Sequence, residues 1–297
     1  MAWMICGTAP DAAFPLTRGR WRLEEGVLHA EGSSAPPLPV RRGTPALIGT
    51  ALIACETLGA EPPLALLAGD AGNGDGSRRI YAHLAEGLHA GEVSGLTFHY
   101  LFPDLDGHNR VLMALEGMSP RPVLVADAGF MYVAKMSGYA DAYDLFTPDA
   151  GELAFLADEK APHPFYTRGF LLASEDDVPE LAARAYRHGN AARFLLVKGK
   201  TDHLIRGGEL LGRVSEPQTP ALEAIGGTGD IVTGLVTALL AAGFGMERAC
   251  LTAARAGRIA GLLAKPTPAT QVAELIPFLP EALRRAAGEA RSAGSCP

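Results

Sequence analysis

Cysteine is scarce, and its spacing rules out two kinds of architecture. The four cysteines, Cys6, Cys55, Cys250 and Cys296, lie far apart with no paired spacing. Neither a disulfide framework nor a zinc site is built that way. They fit buried apolar positions, plus a tail thiol, in a reducing compartment. A basic stripe is also missing. The 26 lysines and arginines are scattered and the net charge is −7, so the electrostatic footprint of a nucleic-acid binder is absent. No apolar run is long enough to span a bilayer, and the opening MAWMICGTAPD has no basic segment ahead of its short apolar run. A cytoplasmic protein without a signal peptide is expected.

What is present is a large apolar fraction, 48% of 297 residues, enough for a substantial core. Short apolar runs at Leu64–Ala68, Leu96–Tyr100, Val123–Ala126, Asp144–Thr147 and Phe194–Val197 alternate with longer segments of helical period. Strands of that kind are buried on both faces. The expected fold class is therefore α/β, a doubly wound, mostly parallel sheet with helices on both faces. A helix is expected from Pro45 with Thr44 as N-cap and Gly59 as terminator. Another is expected over Thr228–Ala242, and a third over Met246–Ala264 with small residues from Cys250 to Gly261 along one side. The first 43 residues differ. RWRLEEGVLHAEG alternates like an antiparallel hairpin and SSAPPLPVRRG is turn-rich, so residues 1–43 are expected as a small β-element or lid before a catalytic domain over 44–297. After Pro280 the chain suits a fraying surface helix.

The stretch AIGGTGDIVTG, Ala224–Gly234, carries the most chemistry. Glycines ahead of an apolar helix leave N–H groups uncovered at its positive end, which suits a phosphate. Gly227, Thr228 and Gly229 would form that anion hole. An aspartate inside it would repel the anion, unless its task is to take a proton from a hydroxyl attacking phosphorus. Asp230 is then a catalytic base, since phosphoryl transfer asks for positioning, charge stabilisation and one base. Alone, the stretch also suits an ordinary glycine-rich helix start.

Two further strand ends point the same way. DLFTPDAGELAFL, Asp144–Leu156, puts Asp149 and Glu152 three residues apart at a helix start, where two carboxylates can hold Mg2+ beside nucleotide phosphates. A charged first turn complementing the helix dipole has the same appearance. FLLVKGKTD, Phe194–Asp202, ends a buried strand in Lys198-Gly199. That places an ammonium and open backbone at the sheet edge where such folds bind ligands, although a lysine and a turn glycine commonly end a strand.

Taken together, the Thr147-Pro148-x-x-Gly151-Glu152 turn, the Lys198-Gly199 strand end and Gly226–Asp230 resemble the ribokinase-like superfamily. The chain looks most similar to its ADP- or ATP-dependent NAD(P)H-hydrate dehydratase branch, the carbohydrate-kinase-like proteins, over roughly residues 44–270. VLVAD, Val123–Asp127, resembles that family's strand ending in aspartate. The resemblance implies nucleotide contacts from Lys198, Gly199, Lys200, Thr201, Asp202 and Gly229, with ATP or ADP as the nucleotide. It implies that Asp230 meets the substrate hydroxyl and that Asp127 and Asp149 lie on the substrate side. The implied reaction phosphorylates the hydroxyl of hydrated NADH or NADPH, after which phosphate leaves. Three departures are visible. Asp149 stands where the dehydratases usually carry His and sugar or vitamin kinases often Asn. Ala128-Gly129 follows Asp127 where a second Asp is usual. LGAEPPLALLAGDAGNGDGSRRIYAHL resembles sugar kinases as well. A kinase of a sugar, nucleoside or vitamin alcohol is thus the alternative, and a nucleotide-binding sensor without catalysis is a third reading. Small molecules are the expected partners, with homo-oligomerisation open.

Remaining candidates are weaker. Gly69–Ser77 lacks the Lys-Ser/Thr of a P-loop and suits a strand-to-helix loop rather than a second nucleotide site. HYLFPDLDGHN, with His99, Asp104, Asp106 and His108, is expected as a loop. It would line a pocket through Asn109 and Arg110 sooner than bind metal. APHPFYTRGF, with His163, Tyr166 and Arg168, suits a packed surface loop or a lid that places Arg168 on a phosphate.

Overall fold

The computed structural model describes residues 1–160 and 177–293, with side chains up to 288. The His163–Arg168 segment and Cys296 lie outside the described residues. The chain divides into two compact units, Met1–Arg18 with Leu64–Arg213, and Gly19–Pro63 with Val214–Pro297.

The first strands are β1 (Ala2–Ala9), β2 (Thr17–Gly19), β3 (Trp21–Glu24), β4 (Val27–Ala30) and β5 (Leu38–Pro39), followed by α1 (Thr44–Leu58). Next come β6 (Leu64–Gly69), α2 (Asp75–Gly87), β7 (Val93–His99), α3 (Leu105–Glu116), β8 (Val123–Asp127), α4 (Gly129–Met136), β9 (Leu145–Phe146) and α5 (Ala150–Ala157). Beyond the undescribed segment lie α6 (Val178–Arg187), β10 (Phe194–Val197), β11 (Asp202–Arg206) and β12 (Glu209–Val214). The chain closes with α7 (Thr228–Ala241), α8 (Met246–Ala264) and α9 (Leu279–Ala293).

A nine-stranded sheet runs in the order β12-β11-β10-β9-β8-β7-β1-β6-β2. Every pairing from β10 to β6 is parallel, and β11 joins β10 antiparallel. The apolar runs are continuous because both faces of these strands are covered. Leu66, Leu96, Phe98, Leu124, Phe146 and Leu195 are all buried in one core with residues of α2 to α6. Two strands depart from the expected plan, since β1 and the edge strand β2 both join the large sheet. The opening residues form β1, paired between β7 and β6, because Trp3, Met4, Ile5 and Cys6 are apolar and buried. Only the following residues make the expected hairpin, with Trp21 opposite Ala30 and Glu24 opposite Val27 in a three-stranded antiparallel sheet.

In the second unit α1 packs on α7, and α7 on α8. The approach of α1 and α7 is so close that a Cβ on Gly234 would come within 2.6 Å of the Leu47 carbonyl. The small-residue side of α8 is buried as expected, from Cys250 through Ala253, Ala254 and Ala260. The N-cap of α1 is Gly43 and not Thr44: Gly43 has φ 70 and ψ −151, and Thr44 is already helical. Gly59 ends the helix in the left-handed region, as expected. The tail helix α9 is amphipathic, with Leu279, Ala282, Leu283 and Ala286 buried. The three described cysteines are buried and free. Among the described residues, no helix is long and apolar enough to cross a membrane.

Candidate active site

Four strand ends of the first unit gather charge. β7 ends in His99 and β8 in Asp127, and these two residues are opposite one another in register. Both are buried, with His99 Nε2 3.9 Å from Asp127 Oδ2. Lys198, just past β10, places its ammonium 2.9 Å from each oxygen of the Asp127 carboxylate. Asp127 also accepts the Ala128 N–H at 2.8 Å. Ala128 caps α4 with φ 51, unusual for a residue with a β-carbon.

Asp149 and Glu152 take up the helix start that their spacing suggests. Asp149 caps α5, accepting the Glu152 N–H at 2.7 Å, while Glu152 accepts the Asp149 N–H at 2.9 Å. This reciprocal box satisfies two orphan donors of the helix. It does not use up the local negative charge. Burial, first, and then the nearby Asp149 and Asp127 carboxylates push the Glu152 carboxyl up to about 8, against the pull of Lys198. The Tyr132 hydroxyl donates to Glu152 Oε1 at 3.3 Å. Burial, then Glu152 and Asp149, hold that phenol protonated far above its usual range. Tyr132 and the buried His99 beside Asp127 escaped sequence reasoning as members of this group. Tyr132 sits inside an apolar helix with no motif around it, and His99 lay within a segment read as a loop.

The Lys198-Gly199 backbone differs from expectation. The Lys198 N–H donates to the Pro148 carbonyl at 2.8 Å, and the Gly199 N–H to Asp202 Oδ1 at 3.1 Å. Both donors are thus occupied, one by the segment after β9 and the other within the turn by the buried Asp202. Lys200 and Thr201 continue that turn into β11.

From Leu105 onward the segment after His99 is helix α3, which corrects the expected loop for its second half. The cause is Asp104, whose carboxylate caps the helix by accepting the Gly107 N–H at 2.9 Å. His108 is buried, its Nε2 2.9 Å from the Tyr143 hydroxyl and its Nδ1 3.1 Å from the Asn109 side-chain oxygen. Burial draws its pKa down to about 4, a neutral core imidazole. Arg110 pairs with Glu86 at 3.1 Å. The Gly69–Ser77 loop behaves as a structural turn. Its N–H groups at Gly72, Gly74 and Ser77 donate to the Asp70 carboxylate, at 2.9, 3.0 and 3.0 Å.

In the second unit Gly227 caps α7 with φ 101, a conformation open to glycine, and Thr228, Gly229 and Asp230 form the first turn. The first N–H groups of a helix lie outside its ladder, so this start leaves donors at the positive end of α7. Asp230 is 8% exposed. Its Oδ2 accepts the Gly43 N–H at 2.5 Å. A carboxylate so held has a fixed direction, which a base needs and a surface helix acid does not.

Comparison with known proteins agrees with these motifs. The family model described as NAD(P)H-hydrate dehydratase, of the carbohydrate-kinase type, matches residues 106–279. A curated relative, the uncharacterized protein MJ1337 of Methanocaldococcus jannaschii, is 37% identical over 238 residues, covering 80% of this chain and 98% of the relative. Among solved structures, the ADP/ATP-dependent NAD(P)H-hydrate dehydratase of Bacillus subtilis, co-crystallized with ATP and Mg2+, superposes with TM-score 0.56 at 14% identity, over 96% of this chain and 91% of that one. Phosphofructokinase-2 of Escherichia coli gives 0.54 at 14%, over 95% and 99%. Ribokinase of Cryptococcus neoformans var. grubii, in complex with ADP, gives 0.53 at 13%, over 96% and 99%. At such identities the likeness shows a shared fold, the ribokinase-like α/β arrangement.

Proposed function

The chain belongs to the NAD(P)H-hydrate dehydratase family of carbohydrate-kinase-like proteins, and on that premise we propose that it uses ATP or ADP to dehydrate hydrated NADH or NADPH. The observation that carries the reading is Asp230, buried in the first turn of α7 behind three residues of phosphate cradle, its carboxylate aimed by the Gly43 N–H. The substrate hydroxyl oxygen bonds to the terminal phosphorus, its proton passes to Asp230, and the bond to the shorter nucleotide breaks. Gly227, Thr228 and Gly229 offer N–H groups to the charge on the transferring phosphoryl group. The carbon–oxygen bond then breaks, phosphate leaves, and the ring double bond re-forms as the neighbouring carbon loses a proton.

Lys198 with Gly199, Lys200, Thr201 and Asp202 is assigned to the nucleotide, and Asp127, Asp149 and Asn109 to the substrate. Asp149 and Glu152 would hold magnesium. The fit rests on their chemistry: burial, and then the neighbouring Asp149 and Asp127 carboxylates, raise Glu152 to about 8, and a divalent cation would offset that penalty on the charged form. Magnesium bound there would screen nucleotide phosphates. The chain's own contribution is to orient those carboxylates through the capping box.

A second reading, a small-molecule kinase, is favoured by Asp149, which departs from the histidine usual in dehydratases. One assay separates the two. Incubation with nucleotide, magnesium and hydrated NADH should restore NADH absorbance. Absence of recovery, with phosphate passing to a sugar or vitamin alcohol instead, would discard the dehydratase reading in favour of the kinase.

A further inference from the structure

Tyr100 follows His99 at the end of β7 and stands at φ 52, a conformation costly for a side chain with a β-carbon. The neighbouring strand end repeats the feature, with Ala128 after β8 at φ 51. Such strain persists where the surroundings dictate it. The Thr8 hydroxyl donates to the Tyr100 carbonyl at 2.8 Å, and the Phe102 N–H donates to Ser77 Oγ at 2.9 Å, so the backbone is tied on either side. What the strain achieves is an exposed ring. Tyr100 is 53% exposed, while the residues flanking it, His99 and Leu101, are buried. Its ring stands edge-to-face on the His99 imidazole, centroids 4.5 Å apart at 86°. His99 in turn lies beside the Asp127 carboxylate that Lys198 holds.

An aromatic face is therefore held out to solvent at the strand edge, one residue away from the charged group that would meet substrate. Tyrosine buries well, and a fold gains nothing by straining its backbone to expose one. We propose that Tyr100 is the ring-binding platform of the acceptor subsite, taking the C–H face of the puckered six-membered nitrogen heterocycle of a hydrated nicotinamide substrate against its own face. This rests on the dehydratase reading above and names the part of the substrate that the chain grips with an aromatic surface. Ring contact of this kind requires the phenyl face, not the hydroxyl.

The test compares Tyr100→Gly and Tyr100→Phe with the wild-type chain in steady-state turnover of hydrated NADH with magnesium ATP, alongside thermal melts without ligand. Tyr100→Gly should raise KM about tenfold with kcat little changed, the loss that ~1.4 kcal/mol of ring contact represents. Its melting temperature should rise, because glycine accepts the positive φ without strain. Tyr100→Phe should keep the wild-type KM. A tyrosine that merely packs would show the reverse, a lower melting temperature at unchanged KM, and that result overturns the platform. So does Tyr100→Phe losing as much as Tyr100→Gly. A wild-type chain that fails to turn over hydrated NADH at all sinks the dehydratase reading and the assigned ring together, whereas turnover with an unmoved KM sinks the platform alone.

Discussion

The Lys198 ammonium grips both oxygens of the Asp127 carboxylate at 2.9 Å, joining the ends of β10 and β8 across β9. Asp127 is 2% exposed, so its charge is stabilised by that contact together with the Ala128 N–H. Lys198→Met should cost about 3 kcal/mol, since removing one partner of a buried pair leaves the other charge uncompensated. Lys198→Met combined with Asp127→Asn should recover most of that loss. Urea denaturation midpoints of the two single variants and the double variant measure it. A double variant no more stable than Lys198→Met would show that the pair is not coupled.

Asp230→Asn keeps the shape of the carboxylate and removes its ability to accept a proton. Turnover should fall by ~10²–10⁴, while nucleotide affinity holds or tightens as repulsion of the phosphates drops. Calorimetric titration with ATP, paired with the turnover assay, reads both quantities. Equal turnover in the two proteins rejects the base.

Gly43→Ala tests how that carboxylate is aimed. At φ 70 and ψ −151 an alanine is strained by about 1–3 kcal/mol, and the N–H lying 2.5 Å from Asp230 moves with it. Thermal melts should show the destabilisation, and kcat should drop more than nucleotide affinity does. An unchanged kcat with a lowered melting temperature would leave Gly43 as a helix cap alone.

His108 gives the fold an acid limit. Burial lowers its pKa to about 4 from 6.5, with the Asn109 hydrogen bond opposing in part. The unfolded chain therefore takes up a proton near pH 6.5 that the folded chain refuses until about pH 4. The stability contributed by neutral His108 is full above 6.5 and is lost as pH falls through that window, on the order of 3 kcal/mol in all. In His108→Leu this slope should disappear from a plot of unfolding free energy against pH, although the lost Tyr143 contact lowers the whole curve. A slope as steep as the wild-type one would assign the acid sensitivity to other groups.

How much of this was written in the chain itself follows from the range of each cause. Continuous apolar runs such as LALLAG and VLVAD require burial on both faces, and glycine before an apolar helix marks the helix start; both are local facts, so the parallel sheet and the glycine-capped start of α7 were legible. So was the spacing of Asp149 and Glu152, because a capping box spans a single turn. Tertiary structure decided the rest. Residues 2–9 carry no sign that they pair between β7 and β6, since strand order depends on what the whole chain leaves unpaired. The grip of Lys198 on Asp127, and of Gly43 on Asp230, joins residues 71 and 187 positions apart. Local propensity has no reach over such distances. There, electrostatics and burial act through space, and only the folded chain brings those partners together.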